Sequence, residues 1–343
     1  MKTLLTITLS LLLTTGAIAQ SYLTQARPTD KKEWGYINEK GEFIIEAKYR
    51  KCFQFSEGYA PIYEGKKFFF INPKGEKLKT EIDNFKLFNV FGIGMQGFSD
   101  GMVPIKVGKK WGYLNIKGEL AIGLEYEKAL SFDNGFAVVR KNEDFFVINK
   151  LGEEFAVAGA VGVKHFSEGL APYKTLEKTF GFVGTDGKVV IKAQFTSVGY
   201  FVDGLAWAKT IDRKVGYIDK KGEWVIQPKF LAAKNFDPES GLAKVKETEK
   251  WVYTDKSGNI TTVDSDVINN FKNGLAKGKK GEKFGYYNKD GKWVIEAKFE
   301  GGRNFKNGFA AAKQDGKWGF INEKGEWVIQ PTFGTVKDME LIE

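Results

Sequence analysis

Apolar and polar positions alternate along this chain in runs too short for helices. Near its end, Phe309-Ala310-Ala311-Ala312 leads to a turn at Asp315 and Gly316, then to Trp318-Gly319-Phe320-Ile321, a second turn, and Trp327-Val328-Ile329. Aromatic and β-branched runs bounded by Gly-centred turns predict strands, here a three-stranded antiparallel meander. Helical periodicity is weak after the first twenty residues, and Gly interrupts the Ala-rich runs too often for a helix to persist.

The same meander is written nine times. Its aromatic-led strand starts at Trp34, Phe68, Trp111, Phe145, Phe180, Val215, Trp251, Phe284 and Trp318, separated by 34, 43, 34, 35, 35, 36, 33 and 34 residues. A near-constant period of this size marks an array of small identical units. A second motif, Phe55-Ser56-Glu57-Gly58, recurs at Phe98, Phe132, Phe166, Phe201, Phe236, Phe271 and Phe305, in strict alternation with the first.

After each aromatic-led strand comes a turn with one constant glycine: Gly41, Gly75, Gly118, Gly152, Gly187, Gly222, Gly258, Gly291 and Gly325. Asn or Asp stands three residues earlier in every copy but the fifth, which has Gly184. That spacing predicts a type I turn whose last residue takes the left-handed conformation and closes a hairpin with a bulge. A further Gly follows the aromatic in six copies, as at Gly35, Gly112 and Gly319. Glycine inside a strand marks close approach, and the expectation is that a neighbouring aromatic lies flat there. Phe69, Phe146 and Val252 replace it in the second, fourth and seventh copies.

On these two motifs the chain resembles the WG-repeat family over roughly residues 20 to 335. The resemblance implies a bacterial protein with β-rich repeat architecture, and it brings no catalytic residues and no common ligand. The expected fold is all-β: one array of about nine three-stranded units over residues 20–343, curved like a propeller into an arc, spiral or ring. Residues 21–33 supply a first strand, with Ala26 at the spacing that Ala310 holds before Trp318. The array therefore begins with a whole unit, which tips the expectation toward an open arc. The second repeat carries an insertion, residues 77–97, that holds Phe85, Phe88 and Phe91.

Residues 1–19 read as a signal peptide: Lys2, an apolar run from Leu4 to Leu13, and Ala17-Ile18-Ala19 before a cut at Gln20. The run is too short to span a bilayer and no second one follows, so a secreted or periplasmic protein without a membrane span is expected. Without Lys2 the formal charge is +8, from 51 basic and 43 acidic residues mixed along the chain. No basic stripe or nucleic-acid motif stands out, which excludes nucleic acid as a partner. Turn lysines such as Lys40, Lys74, Lys117, Lys221 and Lys324 read as solvated.

Chemistry is sparse. Cys52 is the only cysteine and occupies a repeat slot that is mostly apolar, so it reads as core. His165 is the only histidine, in a polar loop slot. One of each provides neither a nucleophile with its base nor a metal ligand set. Most carboxylates are turn residues, and Asp264-Ser265-Asp266 lacks the loop spacing and Gly of a calcium site. No catalytic residue, cofactor or metal is therefore assigned. Trp34, Trp111, Trp251 and Trp318 fill one repeat slot, and Trp224, Trp293 and Trp327 another, which reads as core. Trp207 fits neither; its equivalents include Pro61, Pro104, Lys244, Lys277 and Ala311, and it reads as the exposed aromatic of a possible binding surface. The expected function is a non-catalytic binding scaffold for protein or peptide partners at the cell envelope. The alternative is carbohydrate or peptidoglycan binding through exposed aromatics, and an enzyme with its site in the 77–97 insertion ranks third.

Overall fold

A computed structural model describes residues 21–87, 89–90, 94–95 and 97–342. The segment read as a signal peptide, and Phe88 and Phe91 of the insertion, lie outside the described residues. Among those residues every regular element is a strand. Each unit contains the meander; in blade 6 its strands are Ala206–Lys209, Val215–Ile218 and Trp224–Phe230. A short strand that the apolar pattern did not reveal, Ser197–Val198, precedes them and pairs antiparallel with the first. We call the four strands a to d in chain order. Nine such blades form the ring of a β-propeller, with blade 2 keeping only the bridge Ile71↔Lys77 in place of a full strand d.

The ring is closed, which corrects the leaning toward an open arc. Strand a of blade 1 comes from the far end of the chain: Thr335–Val336 and Glu340–Ile342 both pair with Ser21–Arg27. Residues 21–33 do supply strand b, but the first unit lacks strand a. Ala26 also sits elsewhere than the count placed it. It faces Gly35, as Ala312 and not Ala310 faces Gly319, because the first hairpin is two residues longer.

The apolar clusters lie between blades, so each repeat buries its faces only against its neighbours. The two sequence motifs meet there. Tyr36, third in its motif, packs edge-on against Phe55 of the next blade at 4.8 Å, and Tyr113–Phe132, Tyr217–Phe236 and Tyr286–Phe305 repeat the contact at 4.7–4.9 Å. The hydroxyls donate to carbonyls of the same neighbour, as Tyr217 Oη does to Lys234 O at 2.7 Å. At the a–b loops Ser56 Oγ donates to Phe98 O, and Ser167 Oγ to Phe201 O, each at 2.6 Å. A ring brings its blades closest near the axis, so these loop-to-loop bonds place strand a innermost and the alternately exposed strand d outermost.

The turn glycines behave as expected. Gly41 takes φ 84°, its N–H donates to Asn38 O at 3.0 Å, and Asn38 Oδ1 accepts the amides of Lys40 and Glu42. In the fifth copy, where Gly184 replaces Asn or Asp, Asp186 accepts the Lys188 amide instead. The second glycine has a different cause from the one expected. A Cβ on Gly35 would strike the backbone of strand d, 2.7 Å from Ala47 N, and Gly112, Gly181, Gly216, Gly285 and Gly319 are pressed by backbone in the same way. Strand d bulges at this point: Trp34 pairs Tyr49 and Tyr36 pairs Ile45, so extra residues crowd over Gly35. All six blades with this Gly have a seven-residue strand d with shifted register. The three without it have a shorter one.

Candidate functional site

Residues that suggest catalysis are dispersed among the blades. Cys52 is half-buried against the cluster of Tyr36, Phe55 and Ile62, and burial pushes its thiol up to about 12, against smaller lowering effects of Tyr36 and Lys337. A thiol held protonated is a poor nucleophile. His165 lies in blade 5, stacked on Tyr200 with ring centroids 4.1 Å apart, and its Nδ1 is 3.1 Å from Tyr200 Oη. Asp264 pairs with Lys280 at 3.0 Å, and Asp266 accepts the Gly281 amide at 2.7 Å, so both fasten a loop. Among the described residues no group of three or more His, Cys, Asp or Glu could hold a metal.

The motif tryptophans are packing residues. Trp111 is buried, and Trp34, Trp251, Trp318, Trp224, Trp293 and Trp327 are half-buried. Trp224 meets Phe195 edge-on at 5.6 Å and Trp327 meets Phe299 at 5.5 Å, each bridging two outer strands. They form no exposed row.

Trp207 differs from them: it is half-buried, in keeping with the partly exposed strand position expected for its slot. Its indole lies against Gly199, where an added Cβ would come within 2.8 Å of Cε2. An aromatic flat on a glycine, anticipated at Gly35, thus occurs here. Trp207 lines a cavity of about 370 Å³ together with Lys164, Tyr200, Lys234, Asn235 and Asn270. These residues come from four consecutive blades, 5 to 8, and only the inner rim of a ring touches so many at once. The cavity therefore opens at the mouth of the central channel, on the side of the a–b loops.

The channel wall changes character around the ring. In the Trp207 slot, Pro61, Pro104, Val138 and Pro172 of blades 2 to 5 are buried, whereas Trp207, Lys244 and Lys277 of blades 6 to 8 are half-buried. At the position whose amide donates to the carbonyl of the Trp207 slot stand Phe53 and Leu130 in blades 2 and 4, but Lys164 and Arg303 in blades 5 and 9, with Lys234 at the equivalent place in blade 7. Lys244 Nζ donates to Ile268 O at 3.2 Å and Lys277 Nζ to Gly302 O at 2.8 Å. Neither forms an ion pair among the described residues. Burial and the nearby Lys234 hold the Lys244 ammonium below the ordinary lysine range. Burial and then Arg303 do the same for Lys277, with Asp338 opposing. Arg303 alone of this arc has a carboxylate, Asp338 at 2.5 Å. The arc crowds cations with little compensating charge, which favours an anionic guest.

The sequence comparison singled out Trp207 and passed over Lys164, Tyr200, Lys234, Lys244 and Lys277. The available signal was that three neighbouring copies depart from Pro or Val in the same slot.

The family model described as WG containing repeat matches residues 34–68, 111–143, 180–213, 216–251, 284–318 and 318–340. These segments cover more than half of the chain. The protein belongs to the WG containing repeat family. The matches begin in the same six blades that carry the compressed glycine and the bulged strand d, so in this chain the WG repeat signature coincides with that backbone contact. A search of curated proteins finds no match. Among solved structures, a crystal structure of the eukaryotic initiation factor is similar at 10% identity with a TM-score of 0.61, covering 94% of this chain and 98% of that one. The likeness extends to fold alone. The computationally designed Ika8 protein is similar at 11% identity and TM-score 0.45, over 78% of this chain and 94% of that one, too distant to carry an argument.

The WG repeats also set the charge on the channel-mouth face. Glu57, Asp100, Glu168 and Asp203 sit at positive φ in the two-residue a–b turns. Glu57 accepts the Gly101 amide at 2.8 Å and Glu168 accepts the amide of Asp203 at 2.6 Å, each from the next blade. Turn lysines complete the links: Lys150 to Asp100, Lys220 to Glu168 and Lys256 to Asp203, at 2.5–3.1 Å. The lysines just before the turn glycines, among them Lys40 and Lys324, are exposed as expected. The acids of this face are thus engaged in joining blades, and the cations of the inner arc are not.

Proposed function

We propose that this protein is an exported, non-catalytic binding scaffold that holds an acidic segment of a protein partner at the channel mouth, on the arc of blades 5 to 8. The observation that carries the reading is the cavity bridging four blades, where Trp207 and Tyr200 lie beside Lys164 and Lys234, two lysines without an ion pair among the described residues. Repeat rings supply such continuous concave surfaces, and aromatic residues ringed by cations suit an extended peptide bearing carboxylates. Half-buried, edge-on motif tryptophans favour this over glycan stacking, which needs rings laid open in a row.

The experiment is a pull-down from envelope extract beside a glycan array, with wild type, Trp207→Ala and Lys234→Glu. A protein retained by wild type and lost with both variants is the expected result, and its binding weakens as salt rises. Saturable binding to one polysaccharide class with no protein recovered overturns it. Export is checked separately: protein recovered outside the cytoplasm of the native host should begin at Gln20, and an intact Met1 would count against it.

A further inference from the structure

Blade 7 lacks half of its outer strand, and the gap stays open. In six blades strand d runs along the whole of strand c and ends on an aromatic opposite the first motif residue, as Tyr49 stands opposite Trp34, Phe230 opposite Val215 and Phe299 opposite Phe284. In blade 7 strand d is only Ile260–Thr261 and reaches only Tyr253 and Thr254. Trp251 and Val252 pair inward with Lys246 and Val245, and have no partner strand outward. Beside them runs a groove of about 740 Å³ lined by Lys250, Trp251, Val252, Thr262 and Asp266, and by Lys244, whose ammonium lies 4.8 Å from the Trp251 ring centroid.

None of the described residues fills this gap. Residues 264–266 are tied to blade 8: Asp264 to Lys280, Trp293 Nε1 to Asp264 O at 3.2 Å, and Ser265 Oγ to the Lys279 amide at 3.0 Å. The other two departing blades are filled from within. Val157 N donates to Phe145 O in blade 4, and Phe85 of the insertion stacks on Phe70 of blade 2 at 5.7 Å. The next blade shows the vacancy too. Trp224 and Trp327 each pack edge-on against the last aromatic of the preceding strand d, but Trp293 packs on Tyr287 of its own blade.

We infer that the gap in blade 7 takes an extended segment of a partner protein, which adds to strand c as the missing half of strand d and sets an aromatic residue opposite Trp251. The six complete blades define the occupant: each places an extended segment ending in Tyr or Phe on this edge, as Ala297-Lys298-Phe299 does in blade 8. Open strand edges accept added strands, main-chain bonds supplying affinity and a side-chain pocket supplying selectivity. The site is distinct from the channel mouth and stands whether or not that reading holds.

The test uses the full chain and a synthetic peptide of residues 294–300, Val-Ile-Glu-Ala-Lys-Phe-Glu, with a second peptide in which Phe is replaced by Ser. The first peptide binds saturably with one copy per chain and slows amide exchange at Trp251 and Val252. Loss of the aromatic, or Thr262→Trp in the groove, weakens binding by at least about tenfold. Thr262 is exposed and makes no side-chain contact among those described, so that variant folds; Lys234→Glu at the channel mouth leaves the affinity unchanged. No saturable binding, binding indifferent to Thr262→Trp, or protection at the channel mouth instead of Trp251 overturns the inference. Preferential binding of a polysaccharide over the peptide also overturns it.

Discussion

Blades 6 and 7 are neighbours of almost equal length, and they treat the same segment oppositely. Ala233 lies eleven residues after the turn glycine Gly222, and Ile268 ten after Gly258. Blade 6 builds a seven-residue strand d from its stretch, and blade 7 builds two residues and a loop. Three residues account for the difference. Blade 6 has Gly216 to receive the bulge, Ile226 to plug the space between blades, and Phe230 to end opposite Val215. Blade 7 has Val252, Thr262 and Asp266 in the corresponding places. A bulged strand cannot seat over a valine, and a Thr and an Asp have no reason to leave water for that space. Glycine, isoleucine and aromatic therefore form one device, and all three occur together in six blades: Ile45, Ile122, Ile191, Ile226, Ile295 and Ile329 are all buried.

The comparison is most exposed to failure at the isoleucine. Ile226→Ala should cost about 3–4 kcal/mol, since it opens a cavity in a closely packed seam, whereas Thr262→Ala at the same position of blade 7 should stay within about 0.5 kcal/mol. Denaturant midpoints at constant m would show it, and equal costs would dissolve the contrast. The glycine comes next. Gly216→Val should cost about 3 kcal/mol, because its side chain must displace the backbone of strand d, while Val252→Gly should cost about 1–2 kcal/mol from added chain entropy and the loss of a half-buried side chain.

Turn glycines sharpen the picture at a lower level. Gly222 has φ 87°, and a Cβ there would fall 2.9 Å from Ile191 of the preceding blade; Gly204 has φ 80° with nothing nearby. Both Val variants carry a strain of about 1–2 kcal/mol, and Gly222→Val should exceed Gly204→Val in thermal denaturation. Tyr217→Phe should cost about 1 kcal/mol for the lost bond to Lys234 O, with packing kept, because Phe182 meets Phe201 at 4.8 Å without a hydroxyl, against 4.7 Å for Tyr217 and Phe236.

The smallest effect separates the two sides of the channel. Burial, helped by Lys164 and opposed by Asp133, holds His165 below its usual pKa. The unfolded chain then takes up this proton at a higher pH than the fold does. The stability that neutral His165 allows is full above about pH 6.5 and falls as pH drops through that value toward the folded pKa. His165→Asn, the residue type in blades 7 to 9, should flatten this part of the stability–pH curve. An unchanged curve would remove His165 from the account.

Much of the architecture was legible because repetition turns weak signals into strong ones. One turn glycine with Asn or Asp three residues before it is a guess; eight such turns in register with a second motif specify strand, turn and strand. The candidate site was legible only at Trp207, the one tryptophan outside the two repeat slots. Lys244 and Lys277 were visible as its equivalents in the same slot but suggested no role of their own, because a lysine in a strand ordinarily points to water. Their significance comes from facing one another's neighbourhood across adjacent blades, which a linear pattern does not display.

The sequence by itself determined the local structure: strands from apolar runs, left-handed turns from glycines that nothing else replaces, and a unit repeated nine times. These follow from short-range sterics and burial, which neighbouring residues dictate. Closure, the compression of Gly35 and its equivalents, and the open edge of blade 7 were decided only in three dimensions. Closure depends on whether Glu340–Ile342 can reach Ser21–Leu23 after the curvature of nine blades has accumulated. The glycines answer to a backbone ten residues away in sequence, and the groove exists because Asp264 and Ser265 find partners in the next blade. Each is a contact between residues whose meeting the chain's local preferences do not encode.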